Sequence, residues 1–262
     1  PLPQSLDWPF GRYGIVLATE EHSPATVIRT AQRAETAGLG FAFVSDHFHP
    51  WNSHQGHSSN IWPLLGALAA RTHKLGLVSA VTCPAFRLHP TTLAQSCCTV
   101  HHLSGGRFVL GLGTGEYLNE IVAGYGWPQF GERLARLEEM TSFLRELLSG
   151  REVVRRGDYF QVERATLYDA VPELPIFYAA SGAKTAHSAG RWSDGLICLG
   201  ARAELVECFE EGSRTRKPRL AQISVCWAGS LDEAVHTAHR VFPQVAMDGT
   251  LFSKLGTPWE FE

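Results

Sequence analysis

An α/β fold built around a parallel sheet is predicted by three features of the sequence. Short runs rich in β-branched and aromatic residues alternate with segments of helical periodicity. The alternation is strict apart from one excursion, and a chain of 262 residues lies near the size of one (β/α)8 TIM barrel. Strict alternation fits a parallel sheet that is either closed or doubly wound.

Strands are predicted at residues 13–18, 41–45, 75–82, 108–113, 176–180, 195–199 and 220–227, and helices at 24–37, 63–71, 90–103, 130–148, 184–190, 203–212 and 231–241. A hairpin, 152–156 and 159–163 around Gly157-Asp158, interrupts the pattern as a surface excursion. No internal repeat or low-complexity tract divides the chain, so residues 1–262 are read as one barrel domain. A closed barrel needs eight strands and seven are found. With a chain that opens at Pro1 and stops at Glu262 where a helix begins, the expectation is a C-terminally incomplete barrel.

Composition narrows the function. With 44% hydrophobic residues, 19% charged residues and a net charge of −3, the chain lacks the basic excess that phosphate-backbone binding uses. No apolar run is long enough for a membrane span and residues 1–8 carry no signal-like pattern, so a cytoplasmic enzyme with a small-molecule substrate, and neither nucleic acid nor membrane as partner, is expected. Cys83, Cys97, Cys98, Cys198, Cys208 and Cys226 contain no CxxC pair and read as reduced thiols.

The second strand ends in Ser45-Asp46-His47-Phe48-His49-Pro50-Trp51, setting a carboxylate, an imidazole and an indole at the strand edge where α/β enzymes build sites. His47 can exchange protons near neutral pH, Asp46 can fix its tautomer or cap a turn, and Trp51 can wall off water. A capped turn with a packed Trp explains the same residues. His47, His49, His54 and His57 with Asp46 raise a metal site, but their spacing places no two ligands one helical turn apart, and no metal is expected. After the fourth strand, the glycines of the 111–120 segment let backbone approach a flat or phosphorylated ligand. The segment lacks the third glycine of a dinucleotide fingerprint. Glu116 there is either a second proton-transfer group or a helix-start carboxylate. Two prolines, Pro84 and Pro90, bracket a tightly specified loop after the third strand, and small residues of 179–185 suit an anion at a helix start.

Together, Ser-Asp-His-Phe-x-Pro-Trp at 45–51, Thr-Cys-Pro-x-Phe-Arg at 82–87, Gly-Thr-Gly-Glu-x-x-Asn-Glu at 113–120 and Gly-Asp-Tyr-Phe at 157–160 resemble the F420-dependent branch of the luciferase-like superfamily, in particular its glucose-6-phosphate dehydrogenase-like group. The resemblance spans nearly the whole chain and implies a (β/α)8 barrel that commonly forms a homodimer. It implies that coenzyme F420 lies against Asp46, Ala80, Val81, Cys83, Thr114, Gly115, Asn119, Ser181, Gly182, Lys184 and Thr185, with a cis peptide joining Ala80 to Val81. His47, Trp51 and Glu116 become the reacting group, and Glu20, Leu199 and Arg202 fall on the substrate side.

Relatives acting on glucose 6-phosphate hold its phosphate with cations, of which Arg202 is one. A second would stand near residues 252–254, where only Lys254 is basic, and Leu199 replaces a polar substrate contact. The implied reaction is therefore hydride transfer between F420 and a small alcohol or sugar-like CH–OH compound, with glucose 6-phosphate disfavoured. An FMN-dependent monooxygenase of the same fold and a non-catalytic cofactor-binding barrel are the competing readings.

Overall fold

The computed structural model describes residues 8–243, 251 and 254–262. Seven parallel strands form one sheet: β1 (Gly14–Leu17), β2 (Phe41–Val44), β3 (Gly76–Ser79), β4 (Phe108–Leu112), β7 (Ile176–Ala179), β8 (Gly195–Leu199) and β9 (Arg219–Gln222), neighbours in that order. β5 (Val153–Arg156) and β6 (Gln161–Ala165) pair separately as an antiparallel hairpin. The long connecting helices are α1 (Pro24–Thr36), α2 (Ile61–Arg71), α4 (Pro90–Leu103), α6 (Phe130–Leu148), α7 (Ala183–Trp192), α8 (Ala203–Gly212) and α9 (Leu231–Val241). Two four-residue helices, α3 (Pro84–Arg87) and α5 (Tyr117–Glu120), follow β3 and β4.

The central strands are buried on both faces, which is why they read as continuous apolar runs rather than alternating ones. Alternate residues nevertheless go to different places. Ala42, Val44, Leu77 and Leu110 join the layer between sheet and helices, whereas Phe41, Phe43, Val78, Val109, Phe177 and Ile197 form a second cluster with Trp8 and Leu220. β2 and β9 lie far apart along the sheet, yet Phe41 and Leu220 share that cluster, so the sheet curls around it as a barrel wall. Trp8 plugs its lower end, edge-on to Phe41 at 5.0 Å and 5.9 Å from Phe177. Each fully buried aromatic or branched side chain contributes about 1.5–3 kcal/mol.

Helix starts follow local chemistry. Ser23, Asn60 and Ser230 cap α1, α2 and α9 through side-chain oxygens, and proline opens α1 and α4, where its missing N–H costs nothing.

The observed strands differ from the predicted ones by two residues or more at three places. β3 stops at Ser79, just before the cis Ala80–Val81 peptide, and pairing with β4 resumes as a bridge from Thr82 to Leu112. The last strand stops at Gln222 rather than reaching Trp227, and Ile223, Val225 and Trp227 are exposed beyond it. Within the hairpin, Tyr159 and Phe160 belong to the turn, because Glu139 on α6 accepts from the backbone N–H groups of Asp158, Tyr159 and Phe160. Among the described residues β1 and β9 are the sheet's two edges.

Candidate active site

The C-terminal ends of β2, β3, β4, β7, β8 and β9 surround an open cavity of about 900 Å³ including its mouth. Asp46, His47, Ala80, Val81, Cys83, Thr114, Gly115, Glu116, Asn119, Ser181 and Leu199 line it, so eleven residues picked from the sequence converge on one place.

His47 occupies the floor. Its Nδ1 lies 3.3 Å from the His49 carbonyl oxygen. A carbonyl can only accept, so Nδ1 carries hydrogen and Nε2 is the exchanging nitrogen. Nε2 faces two carboxylates, Glu20 Oε1 at 3.6 Å and Glu116 Oε2 at 4.0 Å. Glu20 is buried and accepts a short hydrogen bond from the Ser45 hydroxyl, with Thr19 Oγ1 at 3.4 Å from the same oxygen. Glu116 stands at the N-terminal end of α5, where its side chain makes no capping bond. Its carboxyl points to the cavity with 45% of the side chain open. Desolvation by the cavity walls pushes it above the usual carboxylate range; His47 and the Asn119 amide pull it back, and Glu20 adds to the rise.

Asn119 fastens the β2 loop to the β4 loop, its Oδ1 accepting from Phe48 N at 2.8 Å and His49 N at 3.1 Å while Nδ2 donates to Glu116 at 3.3 Å. Trp51 lies outside the cavity lining but packs edge-on against His47 at 4.9 Å, with Phe261 on its other side at 5.6 Å. Sequence reasoning named Trp51 and missed Phe261, which lies 210 positions away and carries no local signal. It also quoted Arg87 and Glu120 within motifs without giving them a role, although Glu120 lines the cavity.

The remaining assignments scatter. Gly182 and Lys184 sit exposed at the start of α7, and Thr185 is buried beneath that helix. Arg202, at the start of α8, donates to Glu204 instead of standing free. Leu199 enters the lining with 67% of its surface open. Of residues 252–254, only Lys254 falls among the described residues. Among the described residues no group of three His, Cys, Asp or Glu side chains is arranged to hold a metal ion.

The site fits a flat ligand with a phosphate-bearing tail. A Cβ at Gly113 would come within 2.8 Å of Val81 and 3.2 Å of Cys83, so the glycine lets the β4 backbone and the cis segment form one smooth wall. Gly115, at φ +95, holds a left-handed turn that side chains disfavour. Gly182 faces open space in front of the free N–H groups of α7, where a phosphate is stabilised by the helix dipole. The Cys83 thiol, pushed well up by burial and then by Glu120 and Glu116, stays neutral and serves as wall.

This barrel and floor define a luciferase-like protein, and residues 11–256 match the luciferase-like monooxygenase family, to which the chain belongs. Its curated relatives include F420-dependent glucose-6-phosphate dehydrogenases. That of Nakamurella multipartita is 39% identical over 73% of this chain and 57% of its own length. That of Intrasporangium calvum is 36% identical over 86% and 72%. The chain thus spans little more than half the length of the first and under three quarters of the second. Among solved structures, an F420-dependent secondary alcohol dehydrogenase in complex with an F420–acetone adduct superposes with a TM-score of 0.88 at 27% identity, over 100% of this chain and 80% of that one. A coenzyme F420-dependent tetrahydromethanopterin reductase from Methanopyrus kandleri, at TM-score 0.75 and 20% identity, shares the fold.

Proposed function

We propose that this chain is an F420-dependent oxidoreductase that moves a hydride between the coenzyme and a small alcohol or ketone. The carrying observation is His47 Nε2 held between Glu20 and Glu116 at the base of a cavity shaped for a flat ligand. F420, when bound, supplies the hydride acceptor or donor. The protein's residues do the rest. Asp46, Ala80, Val81, Cys83, Thr114, Gly115 and Asn119 hold the ring system, while Ser181, Gly182, Lys184 and Thr185 form the tail end of the site. His47 Nε2 exchanges the proton of the substrate oxygen, Glu116 serves the coenzyme nitrogen, and Trp51 keeps water from the reacting atoms.

The substrate side is largely apolar. Leu199, Ala179, Ala180 and Ile197 line it with Gln222 beside Leu199, and Arg202, the first cation proposed for a sugar phosphate, is already paired. A small uncharged CH–OH group therefore suits the site better than glucose 6-phosphate. A cytoplasmic setting agrees with six unpaired cysteines, and among the described residues no helix is long and apolar enough to cross a membrane. A homodimer is proposed from the superfamily resemblance.

Calorimetric titration with F420 and FMN in parallel, followed by F420 absorbance with secondary alcohols and glucose 6-phosphate, tests the reading. Expected are F420 binding and turnover of alcohols. Tight FMN binding without F420 binding would place the chain with the flavin monooxygenases.

A further inference from the structure

Beside the floor, Asp46, Arg87 and Glu120 form a cluster that the proton-transfer assignment leaves unused. Arg87, the last residue of α3, directs Nε to Glu120 Oε1 at 3.3 Å and both Nη atoms to Asp46 Oδ1 at 3.4 Å. The side chains of Arg87, Asp46 and Glu120 are only 17, 7 and 1% exposed. Each carboxylate gives one oxygen to the guanidinium. The others, Asp46 Oδ2 and Glu120 Oε2, are buried with no hydrogen-bond partner among the described residues, and both residues line the cavity.

Two carboxylates against one guanidinium leave a surplus negative charge in an enclosed space. The groups facing Glu120 make it worse: Asp46 from the end of β2 and Glu116 from the head of α5 are acidic, Cys83 at the head of α3 is a neutral thiol, and Arg87 alone is cationic. A buried unpaired anion is more costly than an unmade neutral hydrogen bond, and taking up a proton removes the cost. Glu120 is the more enclosed carboxylate and meets Arg87 through one nitrogen, whereas Asp46 meets it through two.

We infer that Glu120, acting through Arg87, is a positioning residue for Asp46, holding a proton so that the guanidinium belongs to Asp46 and the cavity floor carries no surplus charge. Only its ligand arm rests on the F420 reading. Burial pushes Glu120 up to about 7 against the pull of Arg87, with Asp46 and Glu116 adding to the rise. An unfolded glutamate releases its proton near 4.5, so between about 4.5 and 7 the folded chain binds more protons than the unfolded one. Stability therefore falls as pH rises through that window. Above it the charge returns beside the cavity and opposes an anionic coenzyme.

Glu120→Gln keeps the volume and the Arg87 acceptor but cannot ionise. F420 dissociation constants of both proteins, measured from about pH 5.5 to 8.5, share every other titrating group, so their ratio isolates Glu120. The wild-type to variant ratio is expected to rise about 3–10-fold across that range. The unliganded wild type is expected to lose melting temperature relative to the variant between about pH 5 and 7.5. A flat ratio, or parallel melting curves, overturns the proposal. Should the variant not fold, infrared spectra of unliganded Glu116→Gln, which lacks the cavity's other raised carboxyl, decide: a buried neutral carboxyl band present at pH ~6 and lost by pH ~8 is expected, and its absence at the lower pH overturns the proposal. Melting and infrared measurements need no ligand, so failure to bind F420 would sink the functional reading and leave this one decided on its own.

Discussion

At the scale of residues, two carboxylates compete for one imidazole nitrogen. Glu20 has Oε2 tied to Ser45 and Thr19, which turns Oε1 toward His47; Glu116 has Asn119 and His47 beside it and an open cavity before it. Glu20 can therefore orient His47, and Glu116 is the one able to reach a ligand. His47→Ala and Glu116→Gln are expected to keep F420 affinity within several-fold and to lower single-turnover hydride transfer by about 10²-fold or more. Unchanged rates in both folded variants would remove the acid–base assignment. Asp46, His47 and Glu116 were legible because strand ends announce themselves as apolar runs followed by polar residues. The Arg87–Glu120 contact was not, since the residues stand 33 positions apart and only the meeting of α3 with α5 pairs them.

At the scale of elements, the sheet tolerates little change where a strand backs onto its neighbour. A Cβ at Gly111 would lie 2.0 Å from the Ser79 carbonyl oxygen, so Gly111→Ala must part β3 from β4. Urea unfolding is expected to show a loss of about 3 kcal/mol, the upper part of the overpacking range. Glu139 acts at longer range, holding the turn of the hairpin through three backbone N–H bonds of 2.9 Å. The turn is partly open to water, so Glu139→Ala should cost about 1–2 kcal/mol while F420 affinity stays unchanged. Helices α4, α6, α8 and α9 were read to their exact ends, because prolines, cap residues and periodicity are local signals. The hairpin turn and the end of β9 were misread, because a side chain from α6 takes the turn's donors, and because apolar residues 223–227 imitate a strand without a neighbour to pair with.

At the scale of the molecule, the cavity draws its walls from six strands that lie on different parts of the curled sheet. Within the floor, side chains such as Asn119 and Arg87 help to fasten one loop to the next. A ligand that touches the loops after β2, β3, β4 and β7 at once binds the folded barrel and has no counterpart in the unfolded chain, so binding converts directly into stability. At a coenzyme concentration of 100 times Kd the gain is about 2.7 kcal/mol. For a chain of 262 residues, where each kcal/mol moves Tm by about 2–4 °C, F420 is expected to raise the melting temperature by about 5–10 °C. FMN at equal concentration should raise it much less, because the gain follows [L]/Kd and FMN is expected to bind these walls more weakly. The rise should persist in Glu116→Gln, which alters chemistry at the floor, and should shrink in Gly113→Val, whose side chain would fill the space against Val81 and Cys83 that the ring system needs. A melting temperature indifferent to F420 in the wild type, or an undiminished rise in Gly113→Val, would mean that the coenzyme does not use this cavity.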